Sequence, residues 1–133
     1  MGAFRHQIRQ FLHFSEEASR AEDLEPQQHQ LMLAIRVLDE PVGPTIGQLA
    51  EYLFIRHHSA VGLVDRLEER RLVERVRGRE DHRQVRVRLT ARGKEKLRKL
   101  SELHQAELGS SGPLLVSALT ALLKQKEENV PTA

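Results

Sequence analysis

The chain has 133 residues, 21 Lys and Arg against 19 Asp and Glu, no Cys and no Trp, which suits one domain with a modest core. The lack of Cys excludes disulfides, thiolate metal sites and thiol redox switches. No apolar run nears the ~18 residues of a membrane span, and the charged segment 1–9 lacks the apolar centre of a signal peptide, so a cytoplasmic location is expected.

The net charge of +2 hides an asymmetry. Between Arg66 and Lys99 there are 14 Lys and Arg against 6 Asp and Glu, while the rest of the chain has 7 against 13. A solvated charged face is the plain explanation of such a run. Here the basic third coincides with one structural unit, described below, and that favours a polyanionic partner.

Phe4, Ile8, Phe11, Leu12 and Ala18 recur at helical spacing and predict an amphipathic first helix. An acidic break follows over 21–26, with Pro26 placed to begin the next helix. That helix, 27–38, has Leu31, Ala34, Ile35 and Leu38 on one face, and Pro41, Gly43 and Pro44 end it. Thr45 with Gln48 three residues on forms a capping box for a short helix, 46–53. After a tight connection over 54–58, Ser59 or a His just before it is expected to cap a helix running to about Arg70. Its buried stripe is Ala60, Leu63, Val64 and Leu67, and its other face carries His58, Gly62, Arg66 and Glu69.

The periodicity then changes. Residues 72–77 and 84–89 read as strands around a polar turn at 78–83, with Val85, Val87 and Leu89 on one side and Arg86 and Arg88 on the other. Thr90 is expected to cap a long helix to about Leu108, striped by Leu97, Leu100 and Leu103. Gly109, Gly112 and Pro113 should break it, leaving a last helix over 114–126. The predicted fold class is therefore mainly α with a small β-hairpin wing, a winged helix-turn-helix flanked by terminal helices.

Two short helices joined by a tight turn let the second project into a major groove, where base edges differ. His57, His58, Ser59, Gly62 and Arg66 are the candidate contacts on that helix. The hairpin beside it can offer Arg75, Arg77, Arg86 and Arg88 to phosphates, and Arg79 and Arg83 at its tip to the minor groove. Arginine suits both tasks because its planar fork binds acceptors in pairs. This reading expects the cations of the hairpin and of the preceding helix to share one outward surface.

In order and spacing, Ser59 with Val64-Asp65-Arg66-Leu67, Leu72-Val73-Glu74-Arg75, Asp81-x-Arg83 and Leu89-Thr90-x-x-Gly93 resemble the MarR (multiple antibiotic resistance regulator) family. The resemblance implies a homodimeric DNA-binding regulator on a palindromic site, a repressor released by a small lipophilic or phenolic effector. Residues 1–26 and 90–133 would be its dimerisation helices and 27–89 its DNA-binding lobe. The family usually has Gly where this chain has Arg71, and a residue there at positive φ carries a cost of about 1 kcal/mol. Arg71 is either strained or adds a phosphate contact. The family often has Arg at His82, and the chain is short at its C-terminal end.

Asp81 is expected to orient Arg83 or another wing arginine, or simply to shape the turn. Asp65 is expected to be structural, since a carboxylate facing DNA is repelled. His57 and His58 are adjacent on a helix, point about 100° apart and are not a metal pair. No cofactor is implied. His13, Met32 and Tyr52 are candidate effector-pocket residues, with Arg20 and His29 nearby on the same helices; ordinary core or surface roles compete for each. A winged helix serving only protein–protein contact is the alternative function. An enzyme is disfavoured because no nucleophile–base pair, Gly-rich phosphate loop or paired carboxylates in a cleft stand out.

Overall fold

The computed structural model describes residues 1–78 and 83–128. In chain order it contains α1 (Gly2–Ala21), α2 (Pro26–Val37), α3 (Ile46–Leu53), α4 (His57–Glu69), β1 (Val73–Arg77), β2 (Val85–Leu89) and α5 (Ala91–Glu128). Among the described residues β1 and β2 form one antiparallel pair.

Local chemistry accounts for most boundaries. Pro26 stands at the first turn of α2, where its missing N–H costs nothing, and Glu25 and Gln28 form a capping box. Thr45 accepts from the Gln48 N–H at 3.1 Å while the Gln48 side chain accepts from the Thr45 N–H at 2.9 Å, closing the start of α3. Thr90 caps α5 by accepting from Gly93 N–H at 3.0 Å, and its hydroxyl donates to Arg71 O. Helix α4 departs from expectation. It starts at His57 with Arg56 in the cap position and no side-chain cap, so Ser59 lies inside the first turn.

Three helices end in the same way. After α1, α3 and α4 the chain enters the left-handed region at Asp23, Phe54 and Arg71, with φ of 59°, 56° and 60°. In each case the next residue returns its N–H to a carbonyl five positions back: Leu24 to Ser19, Ile55 to Ala50 and Leu72 to Leu67. Arg71 therefore occupies the positive φ at which glycine is favoured.

The core lies where α2, α4, the hairpin and the start of α5 meet. Leu31, Met32, Ile35, Val64, Leu67 and Leu72 are fully buried there, together with Val87, Leu97 and Leu100. Leu103, expected on the same stripe of α5, is instead exposed. Gly93 lies so close to β1 that a Cβ would meet Leu72 O at 2.0 Å, which explains why the Thr90-x-x-Gly93 turn needs glycine.

The expected break at 109–113 does not occur. Helix α5 runs unbroken for 38 residues with Pro113 inside it. One proline removes one donor and crowds the carbonyl four residues back, which belongs to Gly109, and a Cβ at Gly109 or Gly112 would meet nothing within 4 Å. The Ser110 and Ser111 hydroxyls donate to Glu107 O, supporting the turn before the proline. With long helical segments on both sides, propagation outweighs the local breakers. Along this rod Leu108, Leu114, Val116, Leu119 and Leu123 are exposed. By length and hydropathy alone, the stretch Ala91–Gln125 would also suffice to cross a membrane.

Candidate nucleic-acid interface

Helix α4 divides its residues cleanly. Ala60, Leu63, Val64 and Leu67 are buried, while His57, His58, Ser59 and Arg66 are exposed. Gly62 is half-buried, and a Cβ there would stand 3.6 Å from the Arg66 guanidinium, in ordinary contact. Arg66 thus lies over the bare backbone at Gly62. With no side-chain cap, the free N–H groups and the positive end of the helix dipole emerge among Arg56, His57 and His58. Among the described residues no group of three or more His, Asp or Glu could hold a metal ion.

The arginines of the two strands do not share a surface, contrary to the sequence expectation. The register pairs Arg75 with Val87 and Arg77 with Val85 on one face, and Glu74 with Arg88 and Val76 with Arg86 on the other. Arg75 reaches α4: its guanidinium donates to Glu68 Oε1 and to Asp65 Oδ1, both at 2.6 Å, and its N–H donates to Glu68 Oε2. Hydrogen bonding to Asp65, ahead of Glu68, outweighs partial burial and raises the guanidinium further above its ordinary pKa. Asp65 thus ties the helix to the wing.

On the opposite face, Arg86 donates to Gly43 O at 3.1 Å and to the Gln84 side chain at 2.7 Å. Arg88 Nε lies 3.8 Å from Asp39 Oδ1. The Val87 N–H also donates to Pro44 O at 2.8 Å. Arg75 and Arg86 therefore brace the hairpin from two sides, one to α4 and one to the loop before α3. Arg77 and Arg83 are exposed at the turn end of the hairpin. Arg79 and Asp81 lie outside the described residues.

The three expected pocket residues are dispersed. His13 is exposed and pairs with Glu17 at 3.1 Å, one helical turn on. Met32 is fully buried in the core. Tyr52 lines a groove between α3 and the loop after α2, with Leu38, Pro41 and Arg86. A different hollow, of about 360 Å³, lies between α1, α2 and α5 and is lined by Phe11, His29, Leu33, Arg36, Ser101 and His104.

Two histidines meet in that hollow. His104 Nδ1 lies 2.6 Å from Leu100 O, which makes it the donor, so Nε2, 2.8 Å from Ser15 Oγ, accepts from the serine. The His29 ring sits 5.2 Å from that of His104, and its buried Nδ1 has no hydrogen-bond partner. Burial, then His104, then Arg36 lower the His29 pKa from 6.5 to about 4, keeping it neutral. Arg36 donates to Ser101 across α2 and α5 at 2.9 Å. Neither His104 nor Arg36 was singled out from sequence. The signal for His104 was its spacing, four residues after Leu100 and four before Leu108 on one helical face.

Residues 22–84 match the model of the MarR family. Among solved structures, an E. coli MarR mutant complexed with operator DNA is similar over 91% of this chain and 88% of its own, with 23% identity and a TM-score of 0.70. A mutant of S. aureus MepR bound to an oligodeoxyribonucleotide shares 18% identity over 92% of this chain and 94% of its own, with a TM-score of 0.70. CouR from Rhodococcus jostii RHA1, bound to p-coumaroyl-CoA, shares 21% identity over 93% and 88%, with a TM-score of 0.68. No curated protein matches the chain by sequence.

Proposed function

We propose, from the match of residues 22–84 to the MarR family model and from the fold shared with solved MarR structures, that the chain is a homodimeric repressor of the cytoplasm. It binds a palindromic operator and is released by a small lipophilic or phenolic effector. The observation that carries this reading is α4: a helix anchored by four buried side chains whose uncapped first turn, next to Arg56, is exposed. His57, His58, Ser59 and Arg66 are the base and phosphate contacts, and Gly62 gives the Arg66 guanidinium room to lie against the helix. Arg77, Arg79 and Arg83 serve the outer wing, with Asp81 shaping its tip. Arg75 and Arg86 hold the wing at its angle to α4 and are secondary as phosphate contacts.

The terminal elements, 1–26 and 90–133, form the dimer around two lobes of 27–89. Support comes from the exposed leucines of α5 and from Phe4, Ile8 and Phe11 of α1, which are only half-buried in the single chain. Pairing these faces buries apolar surface that would otherwise remain wet. A dimer explains the apolar face of α5 better than a membrane does, because Leu97 and Leu100 of the same helix are held in the core of the winged lobe. The effector site is the hollow between α1, α2 and α5. It combines an apolar lining, the Arg36 cation and an unpartnered His29 nitrogen.

Selection of bound duplexes from a random DNA pool tests the function. The expected product is an inverted repeat with half-sites about one helical turn apart, bound by a dimer in sedimentation and weakened steeply by salt. Failure to enrich any duplex, or binding indifferent to salt, would refute the proposal.

A further inference from the structure

No large apolar side chain among the described residues is more exposed than Phe54, at 96%. It sits at the end of α3 with φ 56° and ψ 41°, a conformation in which a bulky aromatic residue is an outlier. The backbone there is fixed by the bonds Phe54 N–H to Glu51 O and Ile55 N–H to Ala50 O. Glycine would satisfy that cap at lower cost. The ring adds nothing to the core, so neither the turn nor the packing accounts for a phenylalanine at this position.

Its surroundings indicate what it meets. Phe54 lies three residues before the start of α4, and Arg56, His57 and His58 beside it are all exposed. A ring set beside the Arg56 cation and the free N–H groups at the positive end of a helix faces a polyanion rather than another apolar protein surface. The unpartnered apolar side chains that suit a second copy of the chain lie elsewhere, on α1 and α5. The apolar group that a DNA major groove displays is the thymine methyl, which aromatic side chains contact.

We propose that Phe54 is a specificity-determining residue whose ring packs on a thymine methyl at the edge of the major groove, where the first turn of α4 enters. This rests on the DNA-binding reading above. The turn fixes the backbone that carries the ring in advance, so only the ring's own rotamer is ordered on binding.

The test uses the full chain and a duplex that the wild-type protein selects from a random pool. Phe54→Gly is expected to raise the melting temperature, because it relieves the left-handed residue, and to weaken binding to that duplex roughly tenfold. Replacing the thymines one at a time by uracil, which lacks the methyl, should reveal a position at which wild type loses affinity and Phe54→Gly does not. Unchanged affinity of Phe54→Gly, or equal uracil penalties for both proteins at every position, would overturn this inference alone. A wild-type protein that enriches no duplex would overturn it together with the DNA-binding reading.

Discussion

Arg75 on β1 and Asp65 on α4 are joined at 2.6 Å, and the same guanidinium holds Glu68 one turn further along the helix. The wing is thereby fastened to the outward side of the helix that projects beside it. Two carboxylates that would repel a nucleic acid share one arginine of the same lobe, which offsets half of their charge.

That arrangement separates two roles for Arg75. If it braces the wing, Asp65→Asn weakens operator binding as Arg75→Ala does, each by about tenfold, with stability changed by no more than about 1 kcal/mol because the pair is partly exposed. If it instead held a phosphate, Asp65→Asn would free it and tighten binding. Arg75→Lys should not restore affinity, since an ammonium cannot span both carboxylates in a fixed plane. Mobility-shift titration with parallel thermal melts distinguishes the cases.

At the junction of β1 and α5, Gly93→Ala should destabilise the fold by about 3 kcal/mol or more. The added methyl would overlap the Leu72 carbonyl, which already accepts from the Thr90 N–H at 3.1 Å. Urea denaturation should show a lower midpoint with an unchanged slope.

Arg71→Gly should act in the opposite direction and stabilise the protein by about 1 kcal/mol, because φ of 60° suits glycine better than arginine. Scanning calorimetry reads the gain. If the side chain also touches a phosphate, the dependence of operator affinity on salt should become shallower by about one unit of slope in the variant.

The fourth prediction concerns acid. His29 is held neutral in the fold, with a pKa of about 4 against 6.5 when unfolded. Its contribution is complete above pH 6.5 and is lost progressively as pH falls toward about 4, by up to about 3 kcal/mol. Melting temperature measured over this range should fall more steeply for wild type than for His29→Gln. Parallel curves would show that His29 does not carry the effect.

Features governed by neighbours along the chain were legible. The Thr45–Gln48 box, the start of α2 at Pro26 and the buried stripe of α4 follow from spacing alone. So does the structural part of Asp65, since a carboxylate there had to face away from DNA or be neutralised. What depended on pairing was not legible. Alternation placed Arg86 and Arg88 together, but only the register, with Arg75 opposite Val87, shows that the arginines of β1 leave by the other face. The left-handed caps at Asp23 and Phe54 were obscure because each performs a glycine's task without being one, whereas the one at Arg71 was expected from the family resemblance. The unbroken α5 was misjudged because Pro113 and two glycines carry local penalties, whereas continuity is a property of the whole helix. The His29–His104 contact joins residues 75 apart in sequence, and no local pattern announces it.

The absence of a joint in α5 has a mechanical consequence. At 1.5 Å per residue its 38 residues form a strut of about 57 Å, rooted in the winged lobe at Leu97 and Leu100 and ending among side chains suited to a second subunit. A stiff strut converts angle into displacement: a tilt of about 5° at one end carries the other about 5 Å, a large fraction of the ~12 Å width of a major groove. In the proposed dimer, a small wedge beside the root of this strut would be enough to put two reading heads out of step with one turn of DNA.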